Sequence, residues 1–224
     1  QHFRYDASED SVGDDFAGLD QIRADLRNLP DALRPLLVAD TLVRFANGMV
    51  YVFFVVVVTD VLAVDATVAG VYLSPDVLFG LLLAVEMVVA LVSMYPVARL
   101  AERTGLKPVV AIGFAVYAVF PVLLVFAPSD PLVVGLLFAV SGLRFAGLPA
   151  HKALIVGPAD RDASGRVTGA YYLLRNTIVI PSAALGGALW QAVSPEVAFT
   201  VASAVGVLGT GYFLLAGSEF EAYH

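Results

Sequence analysis

Six apolar stretches, each long enough to cross a bilayer, decide what this chain can fold into. They cover residues 36–62, 77–98, 108–127, 131–150, 167–193 and 195–216. A helix needs roughly 20 residues to span a hydrocarbon core of ~30 Å. In that medium every backbone amide must find its partner within the span or a closed barrel. The runs show no apolar–polar alternation and are too long for barrel strands, so helices are expected. The expected fold class is an all-α integral membrane protein with six transmembrane helices.

The basic residues between the stretches fall on alternate connections. Arg4, Arg23, Arg27 and Arg34 precede the first span. Arg99, Arg103 and Lys107 lie between the second and third, and Lys152, Arg161 and Arg166 between the fourth and fifth. Residues 63–76, 128–130 and Ser194 supply no Lys or Arg. Basic residues stay on the cytoplasmic side, so the N-terminal segment is expected there, and an even number of crossings returns the C-terminus to it. The tail 217–224 has no basic residue and is silent on the point. The chain thus divides into an acidic cytoplasmic linker at 1–35, a transmembrane domain at 36–216 and a cytoplasmic tail at 217–224, in a plasma-membrane protein.

Composition agrees with this class and excludes others. The hydrophobic fraction is 59% and the mean hydropathy +0.82, far above a soluble domain. Net charge is −7, with lysine confined to Lys107 and Lys152. Carboxylate excess with Arg in place of Lys suggests a salt-adapted, halophile-like source, where ionic strength screens self-repulsion, and it disfavours a nucleic-acid partner. Absence of cysteine excludes disulfides, thiolate metal sites and Cys nucleophiles. No signal-peptide pattern is visible. Gln1 stands where an initiator Met would, which suits either a trimmed chain or a fragment of something longer, the fragment being the expectation. Phe16, Leu19, Ile22, Leu26 and Leu29 recur at helical spacing, as in a short amphipathic helix on the inner membrane surface, and Pro30 and Pro35 end it.

Charge inside the spans narrows the function. Asp40, Arg44 and Asp60 lie in the first span, Glu86 in the second, Arg144 in the fourth and Arg175 in the fifth. The third and sixth have none in their interiors, Glu196 being at the outer lip. Such charges are costly in hydrocarbon and face a protein interior or a watery cavity. The first, second, fourth and fifth spans are therefore expected to line a polar interior, and the third and sixth to face lipid. That order reads as two inverted three-helix repeats, each with two lining helices and one peripheral helix.

At ~1.5 Å per residue, Arg44 and Arg175 lie about 12 Å into their spans and Arg144 about 10 Å from the inner face. Glu86 is close to the midplane, and Asn47 is a further cavity candidate. The arginines suit either an anion-attracting constriction or internal neutralisation, with Asp40 one turn from Arg44 and Glu86 pairing another. Glu86 suits either proton coupling, as a desolvated carboxylate meeting alternating faces, or a static ion pair. Asp60 is expected to be solvated near the outer surface.

The connection Ala98-Arg-Leu-Ala-Glu-Arg-Thr-Gly-Leu-Lys107 resembles the short motif between the second and third helices of a half in the major facilitator superfamily. Leu100, Ala101, Arg103, Gly105 and Lys107 fit, whereas Ala98, Glu102 and Leu106 depart from it. Leu-Arg-Asn-Leu-Pro before the first span resembles the linker ahead of the family's seventh helix. Gly165-Arg166-x-x-Gly169, and Gly186-Gly187 after Pro181, resemble its eleventh helix. The resemblance implies the C-terminal six-helix half of a secondary active transporter, helices 7 to 12, moving a small solute by alternating access with H+ or Na+ coupling. It implies the lipid bilayer and an N-terminal six-helix half as partners. The alternative is a half-size membrane subunit that assembles with itself or a partner.

The resemblance makes Arg99, Glu102, Arg103, Gly105 and Lys107 a gate motif, in which the acid at 102 locks one conformation by pairing across the interface. From the residues alone, Gly105 permits a tight turn and Glu102 is placed to pair with Arg99. A solvated turn with inside charges explains the same residues. Pro121, Pro149 and Pro181 are expected to interrupt spans, and Pro181, Gly186 and Gly187 are hinge candidates unless the glycines serve close packing. An enzyme is not expected: His2, His151 and His224 all read as outside the membrane interior. Ser141-Gly142, superficially protease-like, lacks a base in any span. No metal site, cofactor or channel-filter segment is expected.

Overall fold

A computed structural model of the chain describes residues 29–157 and 164–219. Five helices are long and apolar enough to cross a membrane: Asp31–Val61, Pro75–Thr104, Leu106–Val125, Pro131–Val156 and Pro195–Ala216. They are the first, second, third, fourth and sixth spans. The fifth expected crossing is present as two helices, Ser164–Val179 and Ser182–Ala192, parted at Ile180 and Pro181. The helix expected through Phe16, Leu19, Ile22 and Leu26 lies outside the described residues.

Proline opens spans more often than it breaks them. Pro35, Pro75, Pro131 and Pro195 all sit in a first helical turn, where the missing N–H has no partner to lose. Asp130 caps the fourth span, its Oδ1 accepting from the Leu132 and Val133 N–H groups at 2.8 and 3.1 Å. Pro121 does not interrupt the third span, contrary to expectation: the helix runs through it. The neighbouring Val122 N–H turns to Ser203 Oγ on the sixth span, 3.1 Å away. Pro149 lies in the first turn of Leu148–Val156. The irregularity of the fourth span falls instead at Gly142 and Gly147, between the segments Pro131–Ser141, Leu143–Ala146 and Leu148–Val156. The first span changes pitch at Tyr51–Phe53 and ends in a π-helical turn, Val57–Val61.

One element adds to the all-α expectation. Between the first two spans, Ala66–Val68 pairs antiparallel with Val71–Leu73, with Ala66 opposite Leu73. The turn residues Ala69 and Gly70 both have positive φ, 51° and 82°, the conformation that a two-residue hairpin turn requires. Tyr72 Oη donates to Asp65 at 3.1 Å, closing this small exposed hairpin.

The first, third and sixth spans pack along one another, with Gly206 against Ala118 and Gly209 against Leu42 and Ala39. By contrast a Cβ on Gly165, Gly169 or Gly211 would meet nothing within 4 Å among the described residues. The third span is thereby the most buried of the five long helices, at 61%, and the second the least, at 22%. This corrects the expected division into lining and peripheral helices. Freedom from charge does not place the third span at the edge, because its Tyr117 supplies a neutral polar contact to the interior. Two apolar clusters fill the bundle, one around Leu33, Tyr117, Ile155 and Phe213 and the other around Phe54, Leu82, Phe120 and Phe199.

Close approach depends on two glycines above the rest. A Cβ on Gly142 would stand 2.5 Å from the Glu86 carbonyl oxygen, so the second and fourth spans touch there only because the side chain is absent. A Cβ on Gly186 would run into the backbone of Met49 on the first span, whereas one on Gly187 would meet only Phe53 Cζ at 3.6 Å. Gly186→Ala is therefore expected to cost about 1–3 kcal/mol through overpacking, read as a lowered melting midpoint in detergent. Gly187→Ala should leave that midpoint unchanged or raise it. Equal melting of the two variants would contradict this packing.

Candidate functional site

The first span builds the centre of the site. Asp40, Arg44 and Asn47 recur at i, i+4 and i+7, one face of a helix. Asp40 is fully buried and gathers groups from three spans. Arg44 Nε donates to its Oδ1 at 3.3 Å. From the fifth span, Arg175 Nη1 and Tyr171 Oη, one turn apart, donate to its Oδ2 at 2.9 and 3.0 Å. From the fourth span, His151 Nε2 stands 3.3 Å from the same Oδ2. A buried carboxylate is tolerated when its charge is paired and its lone pairs are taken, and here both conditions hold.

A second pair lies between the second and fourth spans. Arg144 Nη2 is 2.7 Å from Glu86 Oε1, and both side chains are 2% exposed. Ser141 Oγ donates to the same oxygen. Ser141 is thus a partner of Glu86 rather than any kind of nucleophile. The close approach at Gly142 brings these helices within reach of one another, and Ser141 and Arg144 flank it in sequence.

Tyr117 of the third span joins the two pairs. Its hydroxyl accepts from Arg44 Nη1 at 3.0 Å. Its ring lies under both the Arg44 and the Arg144 guanidinium, at 4.8 and 5.2 Å. Arg144 also faces Phe54, Phe120 and Phe145 at 5.9, 5.5 and 4.7 Å, a setting that stabilises a desolvated cation. The three arginines placed at similar depth by residue counting do come together, and each has a carboxylate partner. Geometry therefore favours internal neutralisation over an open anion constriction. Asn47 Oδ1 is buried one turn above Arg44 with no hydrogen-bond partner among the described residues. Asp60 is exposed and accepts from Thr59 Oγ1 at 3.2 Å.

His151 corrects the sequence reading. It was expected outside the interior because the fourth span was ended at residue 150, but the helix continues to Val156 and His151 is 5% exposed. A signal existed: His151 is seven residues after Arg144, two turns on along one face. Tyr171, likewise, is one turn before Arg175. Tyr117 and Ser141 had no comparable signal, since neutral polar residues do not stand out against an apolar run.

The cytoplasmic turn carries the motif residues. Arg99 stacks over Tyr95 at 4.6 Å and forms no ion pair with Glu102, which is exposed, as is Arg103. Gly105 has φ +91°, and its lack of Cβ leaves room for Glu219 of the tail. The Leu106 and Lys107 N–H groups donate to Glu219 Oε1 and Oε2 at 2.7 and 2.9 Å. A carboxylate at a helix start satisfies orphan amides and complements the dipole. Among the hinge candidates, Pro181 marks the break in the fifth span, with Gly186 packed and Gly187 in ordinary contact.

Five helices able to cross a membrane, packed with a divided sixth segment around a buried core of paired charges, define a multi-pass membrane protein. The family model described as Major Facilitator Superfamily matches residues 36–222. The chain belongs to the major facilitator superfamily, whose members are transporters rather than enzymes, and it carries half of that fold. None of the curated proteins matches the chain significantly.

The Glu219 cap yields a direct expectation. Glu219→Ala should speed hydrogen exchange at the Leu106 and Lys107 amides by roughly fivefold, the loss typical of a helix cap, with amides in the middle of the third span unchanged. Unaltered exchange at both amides would rule the cap out.

Proposed function

We propose that this membrane transporter is the C-terminal half of a secondary active transporter that carries a small solute across the cell membrane by alternating access. Both termini are cytoplasmic in this reading, and transport is coupled to H+ or Na+. The observation that carries it is the pair of buried carboxylates, Asp40 and Glu86, each held by guanidinium groups from a different span. Buried ion pairs contribute little net stability compared with apolar residues of the same volume. Charge retained at such depth in a membrane bundle is a mark of a substrate or ion pathway. Glu86 is the coupling candidate, being closest to the midplane and paired across the close approach at Gly142.

The broken and tight-turning places supply the movement. Pro181 parts the fifth span, and Glu102, exposed beside Gly105, is free to engage a partner surface. The second span supports an N-terminal half as that partner. It buries the smallest share of its length among the long helices, while Val85, Val88, Leu91 and Val92 remain exposed along it. A second copy of the chain covering the same face is the alternative, and it is the natural arrangement for a half-size subunit.

Accessibility tests the alternating cavity. The chain has no cysteine, so Asn47→Cys offers one thiol on the face of Asp40 and Arg44. In right-side-out and inside-out vesicles, a membrane-impermeant maleimide is expected to label it from both sides. Labelling from one side only would contradict alternating access. Glu86→Gln is expected to abolish an effect of an imposed proton gradient on the ratio of the two labelling rates, and a retained effect would remove Glu86 from coupling.

A further inference from the structure

A small cavity lies between the two charge clusters, bounded by the first, third and fourth spans. Arg44, Tyr117, Arg144 and His151 line it, and Gly113 and Gly147 widen it. Its volume is about 10 Å³, the room that a single water molecule needs. Two polar atoms of its lining side chains, Arg144 Nε and His151 Nε2, are buried and bonded by no protein group among the described residues. The residues are 4% and 5% exposed. His151 Nε2 is within reach of Asp40 Oδ2 by distance, yet the approach is too far off line for a hydrogen bond. Two orphaned nitrogens on one cavity are unusual, because buried polar atoms are nearly always satisfied.

We propose that one water molecule occupies this cavity and, with His151, links the Glu86–Arg144 pair to the Asp40 cluster as a single hydrogen-bonded network. Arg144 Nε–H can only donate, so the water accepts from it. Tyr117 Oη accepts from Arg44 and keeps its own hydrogen to give to the water. The water then has a hydrogen for His151 Nε2 while the ring is neutral. When the ring takes up a proton at Nε2, that N–H takes the place of the lone pair and donates to the water, and the Tyr117 hydroxyl hydrogen turns away from it. The arginines only donate and the ionised carboxylates only accept, so the water, His151 and the Tyr117 hydroxyl are the members able to reverse.

The groups around the ring fix what it senses. The first span presents Asp40 and Arg44, the third Tyr117, and the fifth Tyr171 and Arg175 through Asp40. The fourth span adds Arg144, with Glu86 of the second behind it, and Lys152 follows His151 in sequence. Phe114 meets the imidazole edge-on at 5.8 Å, so apolar packing fills the remaining side. Linkage through the water makes protonation of His151 sensitive to the Glu86–Arg144 pair. It rests on the geometry of the cavity and holds whether or not transport is proton-driven.

Two measurements on the full-length protein test it. A density map of the wild type at water-resolving quality is expected to show a peak about 2.7–3.2 Å from both Arg144 Nε and His151 Nε2. Protein labelled with [15N]histidine, with the His151 signal assigned from His151→Asn, gives the second readout. Gly113 lines the cavity, and a Cβ there meets its nearest neighbour, the Arg144 carbonyl, at an ordinary 3.5 Å, so Gly113→Ala takes up the water's room without altering charge. The His151 titration midpoint is expected to move by at least about half a pH unit in this variant. A map without the peak overturns the proposal even if Gly113→Ala fails to fold. A peak with an unmoved midpoint overturns the link between the two clusters.

Discussion

Everything in the interior of this bundle is arranged around one carboxylate that water does not reach. A charged Asp40 without partners would cost far more than packing could return. Its neighbours answer that cost from two spans, Arg44 one turn along its own helix and Arg175 and Tyr171 from the fifth, while His151 of the fourth stands 3.3 Å away. The second span joins through Glu86 and Arg144, and the third through Tyr117. The sixth span contributes no charge and holds the first and third by close contact at Gly206 and Gly209. Charge satisfaction and helix packing thus demand the same arrangement.

Much of this was legible in the chain. The apolar runs placed the crossings, because only helices of about that length satisfy a backbone in hydrocarbon, and the buried charges pointed to the first, second, fourth and fifth spans. Asp40 and Arg44 could be paired by spacing alone. The partners of Glu86 and Arg175 could not, because pairing between helices depends on rotation about each axis, and hydropathy carries no information on that. The third span was misplaced for a related reason: Tyr117 is neutral and lies in an apolar run, yet it sits between two guanidinium groups. His151 escapes a hydropathy reading because the apolar run ends at residue 150, six residues short of the helix end. Pro121 read as a break and is not one, since the sixth span supplies Ser203 to the adjacent amide.

Helical irregularities collect beside the charges. The fourth span is discontinuous at Gly142 and Gly147, on either side of Arg144, and the fifth is parted at Pro181, beyond Arg175. The first changes pitch past Asn47. Such places let segments of a span move against each other without breaking the long contacts. The third and sixth spans are unbroken and well packed, a frame against which the others can shift. That contrast between a continuous frame and the segmented first, fourth and fifth spans, which bear all of these charges except Glu86, is the mechanical basis of the transport reading.

The most direct test of a charge-held core is a double-mutant cycle between Asp40→Asn and Arg175→Gln, with unfolding free energies measured in the bilayer or in detergent. A desolvated, hydrogen-bonded ion pair should give a coupling energy of at least about 1.5 kcal/mol. Effects that simply add, to within about 0.5 kcal/mol, would mean that Asp40 is not the centre on which these helices depend.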